Sequence, residues 1–309
     1  MQKVIISIII PHKNIPNLLQ RCLDSIPVDD DIQIIIVDDN SDPSVVDFDR
    51  FPGNGCPNTV VCFTKESKGA GYARNIGLDH AKGKWLLFAD ADDFFTEKAF
   101  NSIFAHIESL HEIVYFRVTG CYSDTYYHEN RESSINSLVN DYLNGKKDCE
   151  NQIRYLHINP IGKMILKELV DRENIRFEEI IASNDRMFSI LTGYYASSIG
   201  VCNQEIYCVT IRRGSLCFSK SREIMTSRFL ATLRCNQFLR EHQKHRYQSH
   251  ILNYLFYSLE YGIKTFFIFV RLAFSHNSNL FLGITKSVPS FIAMKVKRKK
   301  YSKYFVEKK

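Results

Sequence analysis

The chain has 309 residues, of which 45% are hydrophobic and 24% are charged, a composition that is typical of a globular protein and excludes an intrinsically disordered one. Its formal net charge of +6 is moderately basic, and the excess gathers in a lysine-rich segment at residues 295–309. Nine cysteines without Cys-x-x-Cys spacing argue against a zinc site and a regular disulfide framework, so we expect reduced thiols and a cytoplasmic location.

The first predicted element is a buried strand at residues 4–10, a run of β-branched residues with one serine, Ser7, that Pro11 closes. Asn14 and Pro16 then predict the start of a helix, because asparagine is a good N-cap and proline is tolerated in the first turn. The apolar N-terminus has no small-residue cleavage site, so it fits a first strand better than a signal peptide.

A second apolar run at residues 32–37 ends in Asp38 and Asp39, and a third follows at residues 59–63. Both runs are short and rich in β-branched residues, which predicts buried strands. The two aspartates would lie at the carboxyl end of the second strand. Carboxylates at that position can accept hydrogen bonds from a ribose hydroxyl or from a base N–H.

A glycine-rich segment at residues 68–77 leads into a predicted helix. Glycines such as Gly71 let the backbone approach a phosphate closely, and a helix N-terminus is a favourable place for an anion. Arg74 can add a bidentate contact to phosphate. Each feature is weak alone, since a glycine-rich turn is often only a turn and a helical arginine is usually solvated.

The most informative stretch is a short buried strand at residues 85–89 followed at once by Asp90, Asp92 and Asp93. Ligands of open α/β sheets bind outside the carboxyl ends of the strands. If the segment stays extended, Asp90 and Asp92 share one face. Two such carboxylates repel unless a cation or a proton lies between them, and their oxygens suit Mg²⁺ or Mn²⁺. The simpler alternative is a solvated acidic turn.

Strands that alternate with helices predict a doubly wound, mostly parallel α/β sheet. Further predicted elements are strands at residues 113–119 and 205–212, a helix from residue 96 to about residue 110, a helix that opens near Asn184, and long helices from Arg222 onward. We therefore expect a nucleotide-binding domain at residues 1–215 and a helical, aromatic and basic region at residues 216–309.

The C-terminal region has an amphipathic, aromatic pattern followed by the lysine-rich segment. Lys264 and Arg271 interrupt its apolar residues, so it would not cross a bilayer without a large cost. Such a pattern fits either the surface of an anionic membrane or a helical packing domain with a solvated tail. Nucleic acid is a weaker option, because no known binding module accompanies the charge.

Taken in order, these motifs resemble the inverting family-2 glycosyltransferases of the GT-A fold. The resemblance is carried by residues 7–14, 34–41, 69–78, 81–94 and 183–188. Residues 160–166 and 174–177 look like the bacterial branch that builds capsule, lipopolysaccharide or other surface polysaccharides. The resemblance implies transfer of a sugar from a UDP-sugar donor to a glycan or lipid-linked acceptor.

The resemblance also implies roles for residues at matching positions. The implied nucleotide-binding residues are Pro11, Asp39, Gly71, Arg74 and Asp90, with Asp39 accepting from uracil. Asp92, together with Asp90, would hold Mn²⁺ or Mg²⁺ against the diphosphate. Asp185 would be the general base.

Two departures from the family pattern matter. Lys13 stands where the family usually has an aromatic residue, which removes the expected stacking contact with the base. The Gln-x-x-Arg-Trp motif of processive synthases is absent from the sequence, which favours transfer of a single sugar.

Other protein classes also fit parts of the pattern. A receiver domain places an aspartate pair after an apolar strand, but here another strand comes first and the chain continues far beyond a receiver. A nucleotide-sugar pyrophosphorylase would need a glycine-rich loop with arginine just after the first strand. A nucleotide-binding module without activity is the remaining alternative.

Overall fold

The computed structural model describes residues 4–130, 133–215, 218–219, 221–280 and 304. Its contacts divide the chain into two compact units, one of Met1–Ile180 with Phe188–Ile211 and one of Ile181–Met187 with Arg212–Lys309. A short segment around residue 184 thus groups with the C-terminal part of the chain. The predicted lysine-rich segment at residues 295–309 lies outside the described residues, apart from Tyr304.

The first unit is organised on one eight-stranded sheet. Its strands are β1 (Ile6–His12), β2 (Ile32–Asp38), β3 (Thr59–Phe63), β4 (Trp85–Phe88), β5 (Phe94–Phe95), β6 (Ile113–Tyr122), β7 (Lys163–Leu166) and β8 (Ile199–Ile211). The spatial order is β3-β2-β1-β4-β7-β6-β8-β5. Pairs among β1 to β4 and between β6 and β8 are parallel, whereas β7 and β5 run antiparallel to their neighbours. The predicted α/β, mostly parallel fold is confirmed.

Helices cover both faces of this sheet. They are α1 (Pro16–Asp24), α2 (Ala70–His80), α3 (Ala99–Phe104), α4 (Ser133–Leu143), α5 (Cys149–Leu156), α6 (Lys167–Arg172) and α7 (Asp185–Tyr195). Side chains of β1 alternate between two cores. Ile8 and Ile10 pack in one core with Leu19 of α1, whereas Ile9 packs in the other with Phe188 of α7. This two-sided burial explains why β1 is apolar at successive positions.

Several element boundaries differ from the predictions. Strand β1 does not end before Pro11 but continues through it to His12, because both residues pair with β2. Helix α1 begins at Pro16 with Ile15 as its N-cap, because Asn14 adopts a left-handed φ of 57° and accepts a hydrogen bond from the Asp42 N–H instead. Helix α3 ends at Phe104, well before residue 110. Strand β8 begins at Ile199, six residues before the predicted start, because it pairs along β6.

The second unit is helical over its described residues. It contains α8 (Arg222–Glu241), α9 (Leu252–Ser258) and α10 (Ile263–Ser275), with short 3₁₀ turns between them. Phe229 of α8 stacks on Phe269 of α10 with ring centroids 4.5 Å apart, at the centre of this unit's core. None of the helices described for this chain has the length and apolar content needed to cross a bilayer.

Candidate functional site

The acidic residues after β4 form a compact cluster at one edge of the sheet. One carboxylate oxygen from each of Asp90, Asp92 and Asp93 lies within 4.8 Å of the other two. The chain turns here rather than staying extended, because the Asp93 N–H donates to the Asp90 carbonyl oxygen at 2.9 Å. The expectation that alternation along an extended segment brings Asp90 and Asp92 together was therefore wrong. The turn also adds Asp93 to the cluster.

Strand β8 makes hydrogen bonds to the turn formed by Asp90–Asp93, which we call the acidic turn. The Thr210 N–H donates to Asp93 Oδ1 at 2.7 Å, and Thr210 Oγ1 donates to the Asp92 carbonyl oxygen at 2.6 Å. The Tyr207 hydroxyl oxygen accepts from the Asp90 N–H at 2.7 Å. Burial, together with the charges of Asp93 and Asp90, raises the pKa of Tyr207 well above its usual value, so its hydroxyl stays protonated. These bonds fix the backbone of the acids while leaving Asp90 partly exposed.

Arg21 of helix α1 also stabilises the acidic turn. Its Nη2 donates to the Asp92 carbonyl oxygen at 2.5 Å, and its Nη1 donates to both oxygens of Ser123 at 3.1 Å. The guanidinium also lies over the Phe94 ring, 5.2 Å from its centroid. Sequence reasoning missed Arg21 and Thr210, because they are 71 and 118 residues away from Asp92 and no local motif marks them.

Arg74 of α2 contacts the acidic cluster directly. It is only 6% exposed, and its Nη2 donates to Asp90 Oδ1 at 2.5 Å. The ring of Phe177 lies 5.4 Å below the guanidinium carbon. Gly71 is buried in the first turn of the same helix. Two predicted nucleotide-binding positions, Arg74 and Asp90, are thus joined by an ion pair, and the contact of Arg74 with phosphate stays a prediction.

Asp38 and Asp39, at the end of β2, have different surroundings. Asp38 Oδ2 accepts from His12 Nδ1 at 2.7 Å and from Ser41 Oγ at 2.5 Å. The Nε2 of the same histidine accepts the Ile15 N–H at 3.1 Å, so the ring carries its proton on Nδ1. The Asp38 carboxylate therefore accepts its hydrogen bonds from groups inside the protein. Pro11, the next predicted contact, is buried on β1 in register with Val37.

Asp39 remains available to a ligand. Its Oδ2 accepts the Gly69 N–H at 2.9 Å and lies 3.5 Å from Lys13 Nζ. Its Oδ1 is buried and has no hydrogen-bond partner among the described residues. A buried carboxylate oxygen without a partner is costly, which indicates that a donor from outside the chain completes it. The Gly69 contact places Asp39 beside the start of α2.

Asp185 is the first residue of α7 and is partly exposed. It belongs to the segment Ile181–Met187 of the second unit. The next residue, Arg186, anchors this segment by donating to Thr232 Oγ1 at 3.1 Å and to Ser249 Oγ at 2.8 Å. A carboxylate at this position is also favoured by the helix dipole. The role of Asp185 stays a prediction.

The acidic cluster meets the chemical requirements of a divalent cation. Three carboxylates supply hard oxygen ligands within one small volume, which is the donor set that Mg²⁺ and Mn²⁺ prefer. Asp90 Oδ1 accepts from Arg74 and Asp93 Oδ1 accepts from the Thr210 N–H. The carboxylates of Asp90, Asp92 and Asp93 are the candidate ligands.

Comparison with known proteins gives a consistent result. A family model described as "Glycosyl transferase family 2" matches residues 7–170, more than half of the chain. Glycosyltransferase GlyA of Streptococcus pneumoniae serotype 4 is 25% identical over 229 residues, which cover 68% of this chain and 31% of GlyA. The poly(ribitol-phosphate) beta-glucosyltransferase of Bacillus spizizenii is 38% identical over 99 residues, 30% of this chain and 16% of that protein. The chain thus spans less than a third of the length of either relative.

The crystal structure of S. aureus TarS 1–349 in complex with UDP-GlcNAc is similar in fold. The two structures superpose with a TM-score of 0.63 at 19% sequence identity, over 86% of this chain and 79% of the other. At this level of identity the likeness concerns the fold. It agrees with the mixed sheet and flanking helices of the first unit.

Proposed function

The chain belongs to glycosyltransferase family 2, and from that premise we propose that it transfers one sugar from a UDP-sugar donor to a hydroxyl group of an acceptor. The observation that carries the proposal is the cluster of Asp90, Asp92 and Asp93 at the carboxyl edge of the sheet, with Arg74 paired to Asp90. A relative named for poly(ribitol-phosphate) glucosylation supports a glycan or lipid-linked acceptor of bacterial surface polysaccharide synthesis, the class that includes capsule and lipopolysaccharide.

We assign donor binding to residues at the ends of β1, β2 and β4 and at the start of α2. Asp39 accepts the N–H of uracil through its unpartnered Oδ1, and Pro11 lines the same pocket. Gly71 lets the first turn of α2 approach the phosphates, while Arg74 and Asp90 contact the phosphate and ribose side. The complex of TarS with UDP-GlcNAc supports a uridine nucleotide.

We assign the metal to Asp92 and Asp90. When bound there, Mn²⁺ or Mg²⁺ supplies Lewis-acid stabilisation of the charge that develops on the leaving diphosphate. The chain's own contribution is to hold the acids in place. Arg21 and Thr210 both contact the Asp92 carbonyl oxygen, so the position of this ligand is fixed before substrate arrives.

The base in this proposal is Asp185. Its carboxylate takes the proton from the acceptor hydroxyl as the oxygen attacks the anomeric carbon, and such proton transfer typically contributes about 10²- to 10⁴-fold in rate. Attack from the face opposite the diphosphate displaces it in one step and inverts the anomeric configuration. The support is the matching motif at residues 183–188 and the partial exposure of Asp185.

We place the enzyme in the cytoplasm, at the inner face of the membrane. The support from the structure is α10, which exposes large apolar side chains together with Lys264 and Arg271. An exposed face with these residues suits anionic lipid headgroups and the acyl boundary. A lipid-linked acceptor would be presented at the same surface.

Two variants test the proposed chemistry separately. Asp92→Ala should weaken Mn²⁺-dependent binding of UDP by at least about tenfold, since even loss of an outer-shell contact lowers metal affinity by about 10- to 100-fold. Asp185→Asn should abolish sugar transfer while leaving the UDP affinity nearly unchanged. The measurements are calorimetric titration of UDP with Mn²⁺ and turnover of the UDP-sugar that gives the largest metal-dependent thermal shift.

The control is Asp171→Asn. Asp171 is an exposed acid of α6 that pairs with Lys167, and α6 follows β7 at the end of the sheet where β4 begins. It should change neither measurement. Undiminished transfer by Asp185→Asn would remove Asp185 as the base. A wild-type protein that binds UDP but never hydrolyses or transfers any donor would instead favour the binding module without activity.

A further inference from the structure

Lys13 lies beside Asp39, the residue that the proposed function places against the nucleobase. Its Nζ is 3.5 Å from Asp39 Oδ2, and its side chain is 43% exposed while that of Asp39 is 5% exposed. The Gly69 N–H holds the same Oδ2 at 2.9 Å. Asp39 therefore cannot rotate freely, and its Oδ1 has no partner among the described residues. The ammonium of Lys13 can still donate two further hydrogen bonds.

Together, these two side chains present an acceptor and a donor next to each other. Asp39 Oδ1 is buried and needs an N–H donor, and the half-exposed Lys13 Nζ can donate to an oxygen or nitrogen lone pair. Uracil offers this pattern as N3–H beside the O4 carbonyl. Cytosine offers the reverse, an unprotonated N3 beside an amino group, so both its groups would face a partner of the same kind. A buried carboxylate such as Asp39 that faces another acceptor rejects the ligand strongly, and Lys13 beside the amino group adds a donor opposite a donor.

We propose that Lys13 is a specificity-determining residue that reads the O4 carbonyl of the nucleobase and, with Asp39, selects uracil over cytosine. The proposal rests on the proposed function, since it places the base of the sugar donor at Asp39. It adds that the exclusion of cytidine nucleotides depends on the ammonium group of Lys13. A lysine that only contacted phosphate would strengthen the binding of both nucleotides equally.

The test compares the affinities of UDP and CDP, measured by calorimetry with Mg²⁺, for wild type and Lys13→Met. Methionine keeps an unbranched side chain and removes the charge. We expect wild type to bind UDP more tightly than CDP. In Lys13→Met the UDP affinity should fall about tenfold, the loss of one hydrogen bond to a charged donor, while the CDP affinity stays constant or rises. Lys82→Met, an exposed lysine before β4 at the opposite edge of the sheet, is the matched control.

A second probe changes the nucleotide. Replacing O4 by sulfur in 4-thio-UDP weakens the acceptor that Lys13 reads, so wild type should discriminate against it and Lys13→Met should not. Equal loss of UDP and CDP affinity in Lys13→Met would overturn the proposal, as would equal binding of UDP and CDP by wild type. In both cases nucleotide binding survives, whereas a wild type that binds neither nucleotide with Mg²⁺ would overturn the proposed function as well.

Discussion

Two adjacent carboxylates at the end of β2 show how burial and partners separate structural from binding roles. Asp38 is 1% exposed and accepts from His12 Nδ1, Ser41 Oγ and the Ser41 N–H. Although burial opposes ionisation, these hydrogen bonds hold the pKa of Asp38 below its usual value. The charged form is therefore part of the fold, and it ties the ends of β1 and β2 together beside Asp39.

Asp38→Asn should destabilise the first unit by about 1–3 kcal/mol at neutral pH, because the amide cannot accept from both His12 and Ser41. Since the folded-state pKa of Asp38 is lowered, its contribution is complete above the unfolded-state pKa of about 3.9 and is lost as pH falls through the folded-state value. The stability difference from wild type should then shrink below about pH 4.

Urea unfolding at a series of pH values measures this difference, with fluorescence of the single tryptophan, Trp85, as the reporter. Trp85 is fully buried on β4, next to β1. Asp49→Asn, at an exposed carboxylate of the loop after β2, is the control and should change stability little. A difference between wild type and Asp38→Asn that is the same at every pH would show that the charge of Asp38 does not matter.

At the scale of elements, helix α1 packs on the sheet and also positions the acidic turn. Its apolar side packs on the sheet through Leu19 and Cys22. Its polar side carries Arg21, which links α1 to the acidic turn and to Ser123 after β6. Because α1 is packed on the sheet, the hydrogen bond from Arg21 restricts movement of the Asp92 backbone.

Arg21→Met should remove this link and let the acidic turn move. We expect Mn²⁺-dependent UDP binding to weaken by about tenfold, within the range found for groups that orient metal ligands, with little change in UDP binding measured without metal. Arg172→Met removes a surface arginine that pairs with Glu112 at the other edge of the sheet and serves as the control. Equal losses with and without Mn²⁺ would mean that Arg21 supports the fold in general rather than the metal ligands.

The sequence located the first four strands but not the contacts between them. Short apolar runs located β1 to β4, and acids after β2 and β4 located the edge where they meet, because parallel strands bring their carboxyl ends together. The acidic turn was missed, since a hydrogen bond from Asp93 to Asp90 overrides the alternation of an extended chain. Arg21 was missed because a contact across 71 residues leaves no periodic signal.

At the scale of the whole molecule, the second unit contains a helix with two apolar sides. Thr265, Phe269 and Ala273 of α10 are buried in that unit's core. On the outer side, Ile263, Phe267 and Phe274 are each about 60% exposed (58%, 63% and 62%). Exposing these apolar side chains to water is unfavourable, and an exposed apolar face on a helix usually marks an interaction site. Because α10 carries Lys264 and Arg271 and has no acidic residue, an anionic lipid surface is the partner that we expect.

The last prediction follows from that outer side of α10. The double variant Phe267→Ser/Phe274→Ser should reduce sedimentation with vesicles that contain phosphatidylglycerol, because it removes two aromatic side chains that would enter the interface. Truncation after Pro289 should reduce it too, through loss of the lysine-rich segment. Leu110→Ser, which alters a 95% exposed leucine of the first unit, should have no effect. If the double variant still sediments and the truncated chain does not, the lysine-rich segment alone is the anchor, and the exposed side of α10 serves another contact.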